Sequence, residues 1–204
     1  MYDENSPILG SAPVEPDQVA NFMLSRASGE YTEKDIRTVI VPAYYRLSVE
    51  VGLNPLLAIA QMIHETGNLT SFWAARPRRN PAGIGVNGRV QADPPADQSN
   101  WCFDPSMNQW RFGVSFATWE NDAIPAQIGR LLAYTLPKGS ENAAQASMIT
   151  RALAYRPLPD AMRGSAPSLK QLGKVHNPTG QGWASPGDQY GAKIADIARR
   201  IAGM

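Results

Sequence analysis

The sequence holds one cysteine, Cys102, so no intrachain disulfide can form and a disulfide-stapled fold is excluded, although secretion is not. Only two histidines, His64 and His176, are available as a base for that thiol or as metal ligands. A lone thiol so poorly supplied reads as a packed or partly exposed bystander rather than a nucleophile. The stretch "HETGN" at 64–68 begins like the His-Glu-x-x-His helix of zinc proteases, but Asn68 stands where the second histidine should be, and no metal is expected. "GIGVNG" at 83–88 lacks the spacing and the following helix of a phosphate-binding loop, so no cofactor is expected either. An excess of one charge is also missing: Lys+Arg 19 against Asp+Glu 18 leaves a formal charge of +1. That balance argues against a nucleic-acid partner, and no basic run suggests a membrane surface. No segment reaches the ~18–20 apolar residues of a membrane span. The opening "MYDENSPILGSAPVEP" is acidic and proline-bearing, with no cationic start and apolar core, and does not read as a signal peptide. Another export route, or a trimmed mature form, is the expectation that follows.

What is present suffices for a core. A hydrophobic content of 43% over 204 residues suits one ordinary globular domain, or a domain with a small lobe. Residues 1–16 read as a flexible lead-in and 17–204 as one domain. Asp17 is placed to cap a short helix, "QVANFMLSRAS", which Gly29 breaks. Thr32 with Asp35 has the form of a capping box, and an apolar-periodic segment follows to about Val51. Pro42 inside it predicts a kink or a later helix start. Asn54-Pro55 is a cap followed by proline at the first helical position. Leu56, Leu57, Ile59, Ala60, Met62 and Ile63 then make a helix apolar on nearly every side, hence central and buried, which Gly67 terminates.

From about Arg76 to Trp119 the texture turns to Gly, Pro, Asn and aromatics. "VNGR" signals a hairpin turn and "WRFGVSFATW" suits a strand broken by one glycine. A small irregular β-lobe at about 80–119 is predicted. Helical texture returns after it, with Asp122, Ser140 and Asp188 as candidate caps of the last three helices. The fold class is mainly α (α+β).

Glu65 stands out. It lies near the end of the apolar helix, where burial and the negative end of the helix dipole both disfavour a carboxylate and raise its pKa. A carboxyl that keeps its proton near neutral pH is what a general acid needs to protonate a leaving oxygen. The bland alternative is a helix-end glutamate making a local hydrogen bond.

"AIAQMIHETGNLTSFWAARPRRNPAGIG" resembles the core of the bacterial glucosaminidase-domain family, glycoside hydrolase family 73, of the flagellar-muramidase and autolysin type. The family pattern Ala-x-x-Gln-x-x-x-Glu-[Ser/Thr]-Gly falls on Ala58, Gln61, Glu65, Thr66 and Gly67. Its Asn-Pro-x-Gly-[Ile/Leu] falls on Asn80, Pro81, Gly83 and Ile84. "FATWENDAIPAQIGRLLAY" is similar to the family's Phe-Arg-x-Tyr segment, with Phe116 and Trp119 in the aromatic places and Ala117 departing from the usual arginine. Trp183, Ala184, Tyr190, Lys193 and Ile194 match the family's closing Trp-Ala-x-Asp-x-x-Tyr-x-x-Lys-Ile, with a change around Ser185 to Asp188. The resemblance runs from about Ile36 to Ile201.

It implies a lysozyme-like α-lobe with the β-lobe inserted and a groove between. It further implies hydrolysis of β-1,4 bonds in peptidoglycan after N-acetylglucosamine. Glycan strands are then the partner, a monomer the expected state, and the expected place extracellular, at the bacterial cell wall, or phage-delivered. By resemblance Glu65 is the general acid. For a second carboxylate the family's Thr-x-Glu is absent. Asp104 is the nearest acid upstream of Phe116, Asp93 and Asp97 share its lobe, and Glu120 is a weaker candidate beside a helix start. The remaining alternative is no second carboxylate, with the substrate's acetamido oxygen as nucleophile. Each of these aspartates also fits a plain turn residue beside proline. Tyr190 matches a tyrosine that orients the reacting sugar, or it packs in the core. Asn80 bonds in the site or holds the turn before Pro81. Gly83, Trp119 and Trp183 complete the candidate sugar contacts, while Trp73, Trp101 and Trp110 read as core or groove aromatics. His64 is expected to be structural. A lytic transglycosylase or muramidase on the same fold, and a non-catalytic wall-binding or phage structural domain, are the competing readings.

Overall fold

The computed structural model describes residues Met1–Met204. Its first helices are α1 (Pro16–Leu24), α2 (Glu33–Asp35) and α3 (Val41–Glu50), with a π-helical turn over Ile36–Ile40 joining the last two. The capping box at Thr32 and Asp35 is present in both directions. Of the two outcomes expected of Pro42 the later start is seen: α3 begins at Val41, with Pro42 in its first turn, behind the π-turn. The Val41 N–H reaches back five residues to the Ile36 carbonyl, and that wider turn absorbs a proline that has no N–H of its own to give. The same device recurs ahead of Pro125, where a π-turn over Trp119–Ala123 leads into α5 (Ile124–Thr135).

Helix α4 (Pro55–Thr66) is the centre of the molecule. Asn54 caps it by accepting from the Leu56 and Leu57 N–H groups, and every residue from Pro55 to Ile63 is buried. Gly67 ends it in the left-handed conformation, φ +58°, which costs a residue without Cβ little. Helices α3 and α7 (Tyr190–Ala202) pack against α4, and α5 packs on α6 (Ala143–Tyr155).

The insert between α4 and α5 carries one antiparallel sheet in the order β1-β3-β2, from β1 (Val90–Gln91), β2 (Trp101–Asp104) and β3 (Gln109–Phe112). The tight connection is the one from β2 to β3, where Asp104 faces Gln109. "VNGR" turns the chain into β1, which pairs with β3, so it makes no two-strand hairpin. Of "WRFGVSFATW" only Trp110–Phe112 is strand. The fold is thus mainly α with a small irregular antiparallel insert, as the sequence predicts.

Two sets of local expectations are corrected. Residues 1–16 do not behave as a loose lead-in: Ile8 and Val14 are core residues. The Ile8 N–H donates to the Pro167 carbonyl and the Ile8 carbonyl accepts from the Asn54 N–H, both at 3.0 Å. Asn54 Nδ2 also donates to Ser11 O at 2.9 Å, so this segment braces the start of α4. The helix caps also shift. Glu15 precedes α1 and Gln189 precedes α7 without side-chain bonds, and Asn142 rather than Ser140 caps α6. Thr118 caps the π-turn before α5, and Asp122 answers it as the acceptor from Thr118.

Candidate active site

A cleft of about 500 Å³ opens where the end of α4 meets the 82–86 loop, the inner face of α5, and the 182–184 loop with the start of α7. Among the lining residues are His64, Glu65, Gly83, Arg130, Tyr134, Arg156, Trp183 and Tyr190. Glu65 is the only carboxylate among them. It is half-buried, and loss of water pushes its pKa up; the Tyr190 hydroxyl and the Trp183 indole N–H act in the opposite direction. Trp183 does so from beyond hydrogen-bonding geometry, whereas Tyr190 donates a short hydrogen bond to Glu65 Oε1. Gly83, at φ +60°, faces the other oxygen: a Cβ there would lie 4.0 Å from Glu65 Oε2. Its left-handed backbone favours glycine for a second reason.

Behind Tyr190 stands a buried chain of hydrogen bonds. Tyr44 donates to Gln127 Oε1. Gln127 Nε2 donates to Gln61 Oε1 at 2.8 Å and to the Ala58 carbonyl at 3.0 Å. Gln61 Nε2 donates to the Tyr190 oxygen at 2.9 Å. The direction of the chain has a physical anchor. A backbone carbonyl can only accept, so Ala58 fixes which end of the Gln127 amide carries hydrogen. Gln61 must then present its oxygen to Gln127 and its NH₂ to Tyr190. With an acceptor position of the phenol filled, its O–H is left to point at Glu65. Oε1 of Glu65 is therefore an acceptor in either protonation state, and the acid proton belongs on Oε2. Tyr190 is itself held far above the ordinary tyrosine range, by burial first and by the Glu65 charge second, so it stays a donor.

The structure brings Glu65, Gly83, Trp183 and Tyr190 together at this cleft and leaves the other candidates elsewhere. Asp104 is 2% exposed and closes the β2–β3 hairpin, outside the cleft lining. It accepts from the Ser106 hydroxyl and N–H and pairs with Arg111 at 2.9 Å; these partners hold its carboxyl below the usual range. Asp93 and Asp97 sit on an exposed loop, where Asp97 accepts from the Ser99 N–H. Glu120 pairs with Arg46. Asn80 is fully buried and has no polar capacity free for a ligand: it donates to Ile84 O and Val114 O and accepts from Ala82 N and Ile84 N. Its place is as the brace of the loop that carries Gly83. Trp119 is buried edge-on against Tyr31, ring centroids 5.5 Å apart, and does not reach the cleft.

Three lining residues with polar side chains were not singled out in the sequence: Arg130, Tyr134 and Arg156. A signal for Arg130 exists, since it is a charge within "AIPAQIGRLLAYT", a helix otherwise fit for a core. His64, expected to be structural, lines the cleft edge-on to Tyr190 at 5.4 Å; burial, then Lys193, lowers its pKa.

No family model matches the chain, and no curated protein matches it. Among solved structures it is similar to S. aureus autolysin E in complex with the muropeptide NAM-L-Ala-D-iGlu, at 15% identity over 100% of this chain and 73% of that one, TM-score 0.49. A catalytic glutamate-to-alanine mutant of that autolysin, in complex with the disaccharide NAG-NAM, matches at 14% identity over the same shares, TM-score 0.49. The catalytic domain of the autolysin Auto from Listeria monocytogenes matches at 14% identity over 91% of this chain and 94% of that one, TM-score 0.41.

Proposed function

We propose that the chain is a peptidoglycan hydrolase that cleaves β-1,4 glycosidic bonds of the glycan strand as an endo-β-N-acetylglucosaminidase, with Glu65 as general acid. The observation that carries this reading is a cleft carboxyl with a raised pKa whose one oxygen is occupied by a directed Tyr190 hydroxyl. The motif resemblance around Glu65 supplies the substrate class. Glycan strands at the cell wall are then the partner and place, and the chain acts as a monomer.

The chemistry follows from the proton's position. Glu65 Oε2 gives its proton to the glycosidic oxygen as the C1–O bond breaks and that oxygen keeps the bonding pair. The sugar left behind is an oxocarbenium-like centre. Glu65 is the only carboxylate in the cleft, which favours capture by the sugar's own 2-acetamido oxygen over a second side chain. Water then opens the resulting ring and returns a proton to Glu65. In the interval the Tyr190 O–H stabilises the Glu65 carboxylate.

The same lone carboxylate favours one other reading, a lytic transglycosylase. There the muramyl C6 hydroxyl attacks C1 and gives its proton to the Glu65 carboxylate, no water is consumed, and a 1,6-anhydro end results. Digestion of purified peptidoglycan with the parent and Glu65→Gln proteins, followed by borohydride reduction and mass spectrometry, separates the outcomes. Glu65-dependent reduced N-acetylglucosamine ends are expected. Anhydro-muramyl ends would assign the transglycosylase, and reduced muramyl ends a muramidase. Full activity in Glu65→Gln would remove Glu65 from the chemistry, and binding with no cleavage by folded parent protein would leave a wall-binding module.

A further inference from the structure

Arg130 is only 5% exposed, yet neither it nor Arg156 makes an ion pair with any acid of the chain. Other arginines also lack an ion pair, but each of them is more exposed than Arg130. Arg163, whose side chain is equally buried, pairs with Glu141, and Arg111 pairs with Asp104. A buried guanidinium without a counter-charge is costly, because the water it has lost is not replaced by an opposite charge. Arg130 gives one N–H to the Arg156 carbonyl at 2.8 Å and lies 5.6 and 5.7 Å from the ring centroids of Tyr134 and Trp183. Its remaining donors border the cleft, with none sealed away unpartnered. The exposed Arg156 lines the same wall. Loss of water lowers the Arg130 pKa; Tyr134 opposes that and the neighbouring Arg156 charge adds to it. Trp183 neighbours both Arg130 and Glu65.

We propose that Arg130 and Arg156 form an anion subsite of the cleft that takes a carboxylate carried by the glycan strand. This rests on the glycan reading above and adds a selectivity to it: a strand bearing carboxylates is preferred over a neutral N-acetylglucosamine polymer of the same backbone. Two sources share the chemistry. One is the lactyl carboxylate of a muramyl sugar whose stem has been removed; the other is a free carboxylate of an intact peptide stem.

The test is calorimetric titration of Glu65→Gln protein, which should bind without cleaving, with three tetrasaccharides. The first is stem-free with free lactyl carboxylates, the second carries peptide stems with free carboxylates, and the third is neutral N-acetylglucosamine tetramer. At least one carboxylate-bearing probe is expected to bind roughly ten- to a hundredfold more tightly than the neutral one, the range of charge-assisted bonds. Adding Arg156→Gln should weaken the carboxylate-bearing probes severalfold more than the neutral one and so shrink that preference, and a preference that does not shrink overturns the subsite. Which of the first two probes binds more tightly identifies the source. Arg156 is exposed, so this variant tests the subsite without threatening the fold, as Arg130→Gln would. Equal affinity for all three probes, or an Arg156→Gln loss shared by all three, overturns the subsite and leaves the glycan cleft standing. Binding of none of them, by folded protein, overturns both.

Discussion

Glu65 and Asp104 carry the same functional group in two regions built on opposite principles. Around Glu65 the helical lobe supplies neutral donors and little water: Tyr190 on one oxygen, glycine facing the other, and no cation in ion-pairing reach. Around Asp104 the β insert supplies a cation and a turn: Arg111 on one oxygen, the Ser106 hydroxyl and N–H on the other. The first environment raises a carboxyl pKa, the second lowers it. Around Glu65 the loss of water outweighs the neutral donors, whereas around Asp104 the donors and the cation outweigh the loss of water. The charge and hydrogen content of the partners decides. An acid able to give up a proton belongs to the first region, and a hairpin latch to the second.

The largest effect that could break this comparison is on turnover. Glu65→Gln keeps the shape and the bond from Tyr190 but has no proton to transfer at the right acidity. A loss of about 10²–10⁴-fold in kcat on peptidoglycan is expected, the usual worth of a general acid. Asp104→Asn, assayed where the variant is folded, should stay within about tenfold of the parent, below that range. Circular dichroism of each variant checks the fold. A loss for Asp104→Asn equal to that for Glu65→Gln would make the hairpin aspartate a catalytic partner after all.

Next in size is the relay behind the acid. Gln127→Leu has similar volume but leaves the Tyr44 hydroxyl and Gln61 Oε1 buried without their partner. Each orphaned group costs about 1–3 kcal/mol, so a loss of roughly 2–6 kcal/mol is expected from urea unfolding. Set against a domain stability of about 5–15 kcal/mol, that is a large share. A loss under about 1 kcal/mol would mean that the chain of bonds does not hold Tyr190 in place.

How much of this was legible in the sequence depended on the range of the interaction. Asn54-Pro55, Thr32 with Asp35, and Gly67 were readable because a cap acts within three or four residues. Even there, polar neighbours misled: Ser140 and Asn142 are both competent caps two positions apart, and only the backbone geometry selects Asn142. Glu65 was readable because a carboxylate inside an apolar helix needs a reason. The same logic applied to Gln127 and Arg130 in the next long helix would have led to the relay and to the cationic wall. Asp104 was misleading because position along the chain does not disclose Arg111, which reaches it across the β2–β3 pair. Trp119 was misplaced and Asn80 left between two roles for a related reason: the family pattern marks which residues matter but does not separate those that touch substrate from those that brace the loop beside it. The packing of Ile8 and Val14 was hidden by the prolines and acids around them.

A smaller effect sharpens the account of the acid itself. Tyr190→Phe removes the donor that lowers the Glu65 pKa and leaves burial to raise it unopposed. Activity needs the protonated acid, so its loss with rising pH should move to higher pH in this variant, along with a fall in kcat from the unstabilised carboxylate. Measurement of kcat/KM against pH for parent and variant decides it. A limb that moves to lower pH, or does not move, would mean that Tyr190 does not bond the acid in solution.

The smallest effect is the most direct contrast of the two carboxyls, and it is one of sign. A carboxyl whose pKa is raised by folding binds a proton more readily in the native state, so it loses stability as pH rises from its unfolded pKa through the raised one. Glu65 is this case, and the stability of the parent relative to Glu65→Gln should fall with rising pH across that window. A carboxyl whose pKa is lowered contributes stability that is fully present above its unfolded pKa and is lost as pH falls through the folded value. Asp104 is that case, and the stability of the parent relative to Asp104→Asn should rise with pH over a window that lies lower. Denaturation of the three proteins from about pH 3 to pH 7 therefore gives two difference curves of opposite slope. Two slopes of the same sign would mean that one of the carboxyls has the other's surroundings. If the odd one were Glu65, the general acid would have to be found elsewhere, because no other acid reaches the cleft.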